Sequence, residues 1–300
     1  MKYKLILFIL LSSILSCRTK FPVKEISFPV NSDDHQLMEG RKLTISICGP
    51  CHFDPSTKKL TGKQMFDLPG IAGKVYSRNI TKHPQKGIAQ YTDGQLAYLI
   101  RTGIARDGSL MSYMQRPNLS DVDLQAIIAF LRSGHDIVAA SDVEPPETKY
   151  TALGRFGINH FPGPLPYPDH SISKPDMNND PVAYGRYLVD NLSCYHCHSK
   201  SFLTVDENQP EKSKGYMAGG NKLRTASGKK VESSNLTFHE TGLMKWSEND
   251  FRRAVQDGLS KDERILDQLM PRYTELSEPD IKAIFVYLAT VPKIKNKIDH

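Results

Sequence analysis

The stretches "SICGPCHFDP" (Ser46–Pro55) and "LSCYHCHSKS" (Leu192–Ser201) carry the same string, C-x-x-C-H, once in each half of a 300-residue chain. Cysteines three apart followed by a histidine lie within a single helical turn, where side chains at i, i+3 and i+4 share a face. A motif that organises so much chemistry over so few residues needs its own supporting fold. Its repetition implies two such folds in one chain, and the length suffices for two cores of ordinary size.

Two thiols and an imidazole on one turn suit covalent haem attachment. The cysteines form thioethers with the porphyrin vinyl groups and the histidine reaches the iron. A four-thiolate zinc site would combine both pairs and would need neither histidine, yet the pairs are separated by 142 residues and both end in histidine. A thioredoxin-like redox pair calls for a strand-to-helix setting and again no histidine. The reading is therefore two covalently bound haem c groups, one held by Cys48, Cys51 and His52, the other by Cys194, Cys197 and His198.

Both motifs sit inside a longer duplication. "SRNITKHPQKGIAQYTDGQLAYLIRTGI" (Ser77–Ile104) matches "SSNLTFHETGLMKWSENDFRRAVQDGL" (Ser233–Leu259), pairing Asn79 with Asn235 and Gly103 with Gly258. "LSDVDLQAIIAFLRS" (Leu119–Ser133) matches "LSEPDIKAIFVYLAT" (Leu276–Thr290). The last pair reads as two amphipathic helices, capped by Ser120 and Ser277 with an acid three residues on, and with apolar residues at helical spacing. Each copy also opens with a helix: Leu37, Gly40, Leu43 and Ile47 line one face before Cys48, and Pro181 starts the other. Gly40 and Gly185 are placed for close helix approach, with Phe130 and Tyr287 as the side chains that lie across them. The expected fold class is all-α, with domains at 33–140 and 178–293 and a Pro-rich linker at 141–177.

The N-terminus "MKYKLILFILLSSILSC" has two lysines and then an apolar run, Leu5–Leu15, too short to span a bilayer but suited to a signal peptide over 1–16. The "ILSC" ending resembles a lipobox, which makes Cys17 the lipidation site of an exported lipoprotein on the periplasmic side. The other four cysteines are then all assigned to haem. A formal charge of +6 is a mild excess and no nucleic-acid signature.

A histidine-bound iron needs a second axial partner for electron transfer. Met270, beside Pro271 and seven residues before Ser277, is the candidate in the second copy. In the first copy Met111 and Met114 both qualify and spacing does not separate them. His83 and His239, at matching repeat positions, are the bis-histidine alternative.

With these residues in view the chain resembles the dihaem class I cytochromes c, including tandem-domain cytochrome subunits of membrane-bound dehydrogenases. The resemblance is carried by the two C-x-x-C-H motifs, "SRNIT" and "SSNLT", and the two closing helices. It implies two tandem class I cytochrome c domains wrapping one haem each, iron ligation by His52 with Met111 and by His198 with Met270, and a non-catalytic electron carrier. It supports Met111 over Met114 because family members often read Met-Pro-Tyr where this chain reads "MSY". The implied partners are redox proteins or a dehydrogenase or oxidase complex. The alternative is a dihaem peroxidase with one open iron. One departure is length, 27 positions from His52 to Asn79 against 37 from His198 to Asn235, the surplus lying in the Lys-rich "SKSFLTVDENQPEKSKGYMAGG", read as a solvated loop.

Overall fold

The computed structural model describes residues 20–298 apart from Pro69 and residues 161–162; the expected leader and Cys17 lie outside the described residues. Each copy of the repeat is built on two crossing helices. In the first, α1 (Asp34–Leu43) runs through a π-helical turn (Thr44–Cys48) into α2 (Gly49–His52). After α3 (Asp93–Thr102), α4 (Asp121–Arg132) packs back against α1. The linker region carries α5 (Ala152–His160). In the second copy, α6 (Pro181–Asn191) leads to α7 (Cys194–His198), then α8 (Glu248–Arg252) with a π-helical turn (Arg253–Asp257), and α9 (Glu278–Thr290) packs against α6.

The caps follow the sequence closely. Asp180 accepts the Ala183 N–H at 2.8 Å, with Pro181 in the first turn, where its missing N–H costs nothing. Ser277 and Asp280 close a reciprocal capping box. At the matching N-terminus of α4, Ser120 caps Asp123, but the Asp123 carboxylate turns away and accepts the Tyr187 hydroxyl at 2.6 Å. The Ser120 N–H donates to that same hydroxyl. The second copy thus supplies the missing half of the first copy's cap.

The reverse contact is also present. Lys42 of α1 pairs with Asp280 at 3.4 Å, and Arg41 makes a bidentate pair with Glu275 at 2.7 and 3.1 Å. Asp123 and Asp280 hold the same place in the repeat, as do Lys42 and Tyr187, so each copy's opening helix touches the other's closing helix.

Where the helices cross, Gly40 and Gly185 face the backbone of the partner helix. A Cβ on Gly40 would stand 2.0 Å from Ala126 O, and one on Gly185 2.0 Å from Ala283 O. Phe130 and Tyr287 lie across these glycines, as the pattern implied. The apolar faces of α4 and α9 are buried through Leu124, Ile127, Ile128 and Leu131 and through Ile281, Ile284 and Leu288. Each such side chain contributes about 1.5–3 kcal/mol by leaving water.

The linker is stitched down. Its strand β2 (Lys149–Tyr150) pairs antiparallel with β1 (Gly73–Lys74) of the first copy. Leu165 N–H reaches Thr102 O, Asp121 N–H reaches Ile172 O, and Lys174 bridges Glu39 and Asp123 at 3.0 Å each. A second hairpin, β3 (Lys222–Arg224) with β4 (Lys230–Glu232), stands in the second copy.

Arg101 of α3 is fully buried and donates to the carbonyls of Pro117 and Leu119 while pairing with Asp121. Its counterpart, Gln256, donates to Leu276 O at 2.8 Å, the equivalent carbonyl. Arg101→Ala is expected to cost about 3 kcal/mol by leaving the Pro117 and Leu119 carbonyls without their donor and emptying a fully buried site, while Asp121 keeps the Ser171 hydroxyl. Arg101→Gln is expected to recover about half of that by restoring the second copy's solution. Chemical denaturation of the three proteins checks both.

Candidate functional site

Each C-x-x-C-H histidine is held by one repeated hydrogen bond. His52 Nδ1 lies 2.7 Å from Arg78 O, and His198 Nδ1 lies 2.8 Å from Ser234 O, the residue after the matched serine in "SRN" and "SSN". With Nδ1–H donating to a carbonyl, Nε2 is the unprotonated nitrogen and is available to a metal, the second-shell arrangement by which proteins fix the tautomer of a ligand histidine. Burial pulls the His52 pKa down to about 4 and lowers that of His198, so both rings are neutral at ordinary pH.

The backbone of each histidine is also held. His52 O accepts the Gly62 N–H and His198 O the Gly219 N–H, both at 2.8 Å. Gly62 (φ 87°) and Gly219 (φ 68°) adopt left-handed turns that put Cα against the backbone of residues 77–78 and 233–234, so only glycine fits. One residue further, Asn79 Nδ2 donates to Ser141 O and Val143 O at 2.8 Å each. Asn235 Nδ2 donates to Ile294 O at 2.9 Å and Asn296 O at 3.3 Å. Each asparagine also accepts a backbone N–H two residues on, from Thr81 and Thr237. The shared "N-I/L-T" signature is thus a clamp that ties a distant strap of chain to the histidine-holding carbonyl.

All four motif cysteines are unpaired. Burial pushes Cys48 and Cys194 up to about 12 and Cys51 up to about 11, with Cys197 raised as well. They are protonated thiols and neither redox thiolates nor a preformed thiolate cage. Among the described residues no group of three or more His, Cys, Asp or Glu side chains converges as a metal-ion site. Neutral thiols one helical turn apart, beside a histidine whose Nδ1 is already tied and whose Nε2 is open, fit covalent haem c.

The two motifs lie close together. Tyr113 of the first copy meets His196 of the second motif edge-on, ring centroids 6.2 Å apart, and Arg116 Nε donates to Asn191 O at 2.9 Å. The buried Tyr273 stands near Cys51 as well as Cys194 and Cys197.

Of the sixth-ligand candidates, Met114 and Met270 both pack, half-buried, against the core. Met111 N–H donates to Gly103 O at 2.7 Å and Leu266 N–H to the equivalent Gly258 O at 2.8 Å, so the repeat partner of Met111 is Leu266. His83 and His239 use Nδ1 to accept loop N–H groups, from Gln85 and Lys86 and from Thr241. Their matching positions reflect a shared turn.

The Lys-rich surplus segment is more than a solvated loop. Its Glu207 accepts the Tyr195 hydroxyl at 2.8 Å and lies 2.8 and 2.9 Å from His196 Nε2, clamping the second motif. Tyr216 and Met217 are buried, and the Tyr216 hydroxyl meets that of Tyr287 at 2.9 Å. Only the segment "GYM", an aromatic and a methionine amid polar residues, signals this from sequence.

No protein-family model matches the chain. Similar proteins include the cytochrome c subunit of a quinone alcohol dehydrogenase from Gluconobacter oxydans, 29% identical over 88% of this chain. Others are the cytochrome subunit of a fructose dehydrogenase from Gluconobacter japonicus, 27% over 88%, and the cytochrome c subunit of a gluconate 2-dehydrogenase from Pantoea cypripedii, 28% over 81%. The matches cover 56%, 54% and 56% of these relatives, so the chain spans about half their length. Over most of its length the chain is similar to the cytochrome c subunits of dehydrogenases.

Proposed function

We propose that the chain is an extracytoplasmic electron carrier with two covalent haem c groups in tandem class I domains, 33–140 and 178–293, acting as the electron-transfer subunit of a dehydrogenase complex. The observation that carries this reading is the repeated tether of His52 to Arg78 O and of His198 to Ser234 O, which supports two equivalent iron-ligand histidines in one chain. When bound, haem iron supplies a one-electron couple near neutral pH. The chain's own part is to hold the group through Cys48 and Cys51 or Cys194 and Cys197, to fix the imidazole tautomer, and to keep water from the site with the buried helix faces. Electron donor and acceptor are then other subunits or redox proteins, and substrate chemistry belongs to them.

For the sixth ligands we take Met270 and, in place of Met111, Met114. The repeat correspondence of Met111 with Leu266 and the shared core packing of Met114 and Met270 support this exchange. Among the described residues no helix is long and apolar enough to cross a membrane, which suits attachment through a lipid on Cys17. The test is maturation with haem, followed by haem-to-protein stoichiometry and the near-infrared sulfur-to-iron band. Two haems per chain are expected, with the band halved in Met114→Ala and in Met270→Ala and intact in Met111→Ala. One haem per chain would refute the tandem reading; a band halved in Met111→Ala would restore Met111.

A further inference from the structure

The two copies agree inside and disagree outside. The strap tied down by Asn79 is Ser141–Asp142–Val143–Glu144, and the strap tied down by Asn235 in the same way is Ile294–Lys295–Asn296–Lys297. One device therefore carries two acids in the first copy and two lysines in the second.

The turn-and-hairpin segment after each histidine diverges in the same sense. In the first copy, residues 62–77 read "GKQMFDLPGIAGKVYS", and this hairpin's outer strand is covered by β2 of the linker. In the second copy, residues 219–233 read "GGNKLRTASGKKVES", with Lys222, Arg224, Lys229 and Lys230 all exposed against one acid, Glu232. That acid makes a loose 4.0 Å pairing with Lys222.

Hairpin and strap form one surface. Asn296 Nδ2 donates to Ala218 O and Gly219 O at the hairpin's root, and a Cβ on Gly220 would touch the Asn296 and Ile298 side chains. The root is also bonded to the second motif itself. Asn221 Nδ2 donates to His196 O at 3.1 Å, and Ser233, which pairs with Asn221, precedes the residue whose carbonyl holds His198. Four cations on β3–β4 and exposed Lys293 and Lys295 on the strap thus stand a few bonds from the second iron-ligand histidine.

We propose that this basic face, hairpin Lys222–Glu232 with the strap at 293–297, is the docking surface for an acidic protein partner that exchanges electrons at the second copy. The first copy's acidic strap excludes that partner, so a nearly symmetric interior gains a direction from its surface charges. A single-signed patch steers an oppositely charged protein and raises its association rate in a salt-dependent way. The inference rests on the carrier reading above.

The experiment uses the haem-loaded chain and an acidic flavodoxin as probe, with affinity read by calorimetry at low and at moderate ionic strength. Lys222→Glu combined with Lys229→Glu and Lys230→Glu is expected to weaken binding at least about tenfold at low salt and to flatten the salt dependence. Asp142→Asn with Glu144→Gln is expected to leave affinity within about twofold, because those side chains lie on the other strap. Equal affinity in wild type and the triple variant overturns the proposal. So does tight binding to phosphatidylglycerol vesicles that the triple variant loses while flavodoxin binding stays unchanged, since that makes the face a membrane contact. Haem content and the near-infrared band measured on the same samples separate failure of docking from failure of the carrier reading.

Discussion

Gly185→Ala is expected to be the most damaging small substitution in the chain, with Gly40→Ala close behind. In an exposed helix the exchange gains about 0.5–1 kcal/mol, because glycine loses the most backbone freedom on folding. Here the new methyl meets Ala283 O at 2.0 Å and Tyr287 Cβ at 2.8 Å, or Ala126 O at 2.0 Å and Phe130 Cβ at 3.0 Å. Backbone atoms of a packed helix cannot rotate away as a side chain can, so the crossing must open. Opening it lifts the buried face of α9 or α4 from its partner, at a cost of about 2–4 kcal/mol once the propensity gain is subtracted. Melting of the loaded protein is expected to fall by on the order of 10 °C, with a lower yield of attached haem. An unchanged or higher melting temperature would mean that the crossing is loose and does not set the fold.

Asn235→Ala is expected to act on stability and on the iron site together. The change removes donors to Ile294 O and Asn296 O and the acceptor for the Thr237 N–H, all buried or half-buried. Leaving such groups unpaired costs about 1–3 kcal/mol each, reduced where water can reach them. A total of about 3 kcal/mol is the working figure for a clamp of this size. The strap at 293–297 then detaches, and the segment presenting Ser234 O to His198 loses its support. The expected signatures are faster hydrogen exchange in the strap and a shifted midpoint potential for one haem, the other unchanged. Asn79→Ala is expected to give the mirror result, freeing 141–143 and shifting the other haem. Loss of stability without any change in potential would show that the clamp merely holds the strap. Asn235→Asp, which keeps the acceptor for Thr237 and loses the donors, is expected to fall between wild type and alanine.

The alignment of the two copies rests on residues whose roles are local or periodic, and these were legible in sequence. C-x-x-C-H is a one-turn device, Ser120 and Ser277 cap through their own side chains, and the glycines announce close packing by interrupting good helical periods. Contacts between residues far apart in sequence were not legible. Nothing in the string "SDVD" tells that Asp123 will abandon its own cap for Tyr187, because that choice is made by a helix some sixty residues away. Spacing along the chain left Met111 and Met114 level, and the resemblance favoured Met111. Only the backbone pairing to Gly103 shows that its place belongs to Leu266 in the second copy.

The surplus loop teaches the same lesson. Its lysines suggested solvent, whereas Glu207 and Tyr216 turn inward because the second motif offers Tyr195 and His196, and the closing helix α9 offers Tyr287, as partners. By itself the sequence carried the reading of the chemistry, namely the paired thiols and histidines proposed to hold haem and a helical pattern repeated twice, since each follows from covalent spacing and side-chain period. Tertiary structure alone decided which nitrogen of each histidine is free, which of the first copy's methionines packs against the core as Met270 does, and how the opening helix of each copy meets the closing helix of the other. Those outcomes depend on hydrogen bonds and contacts that close over long stretches of chain, where composition and period carry no information.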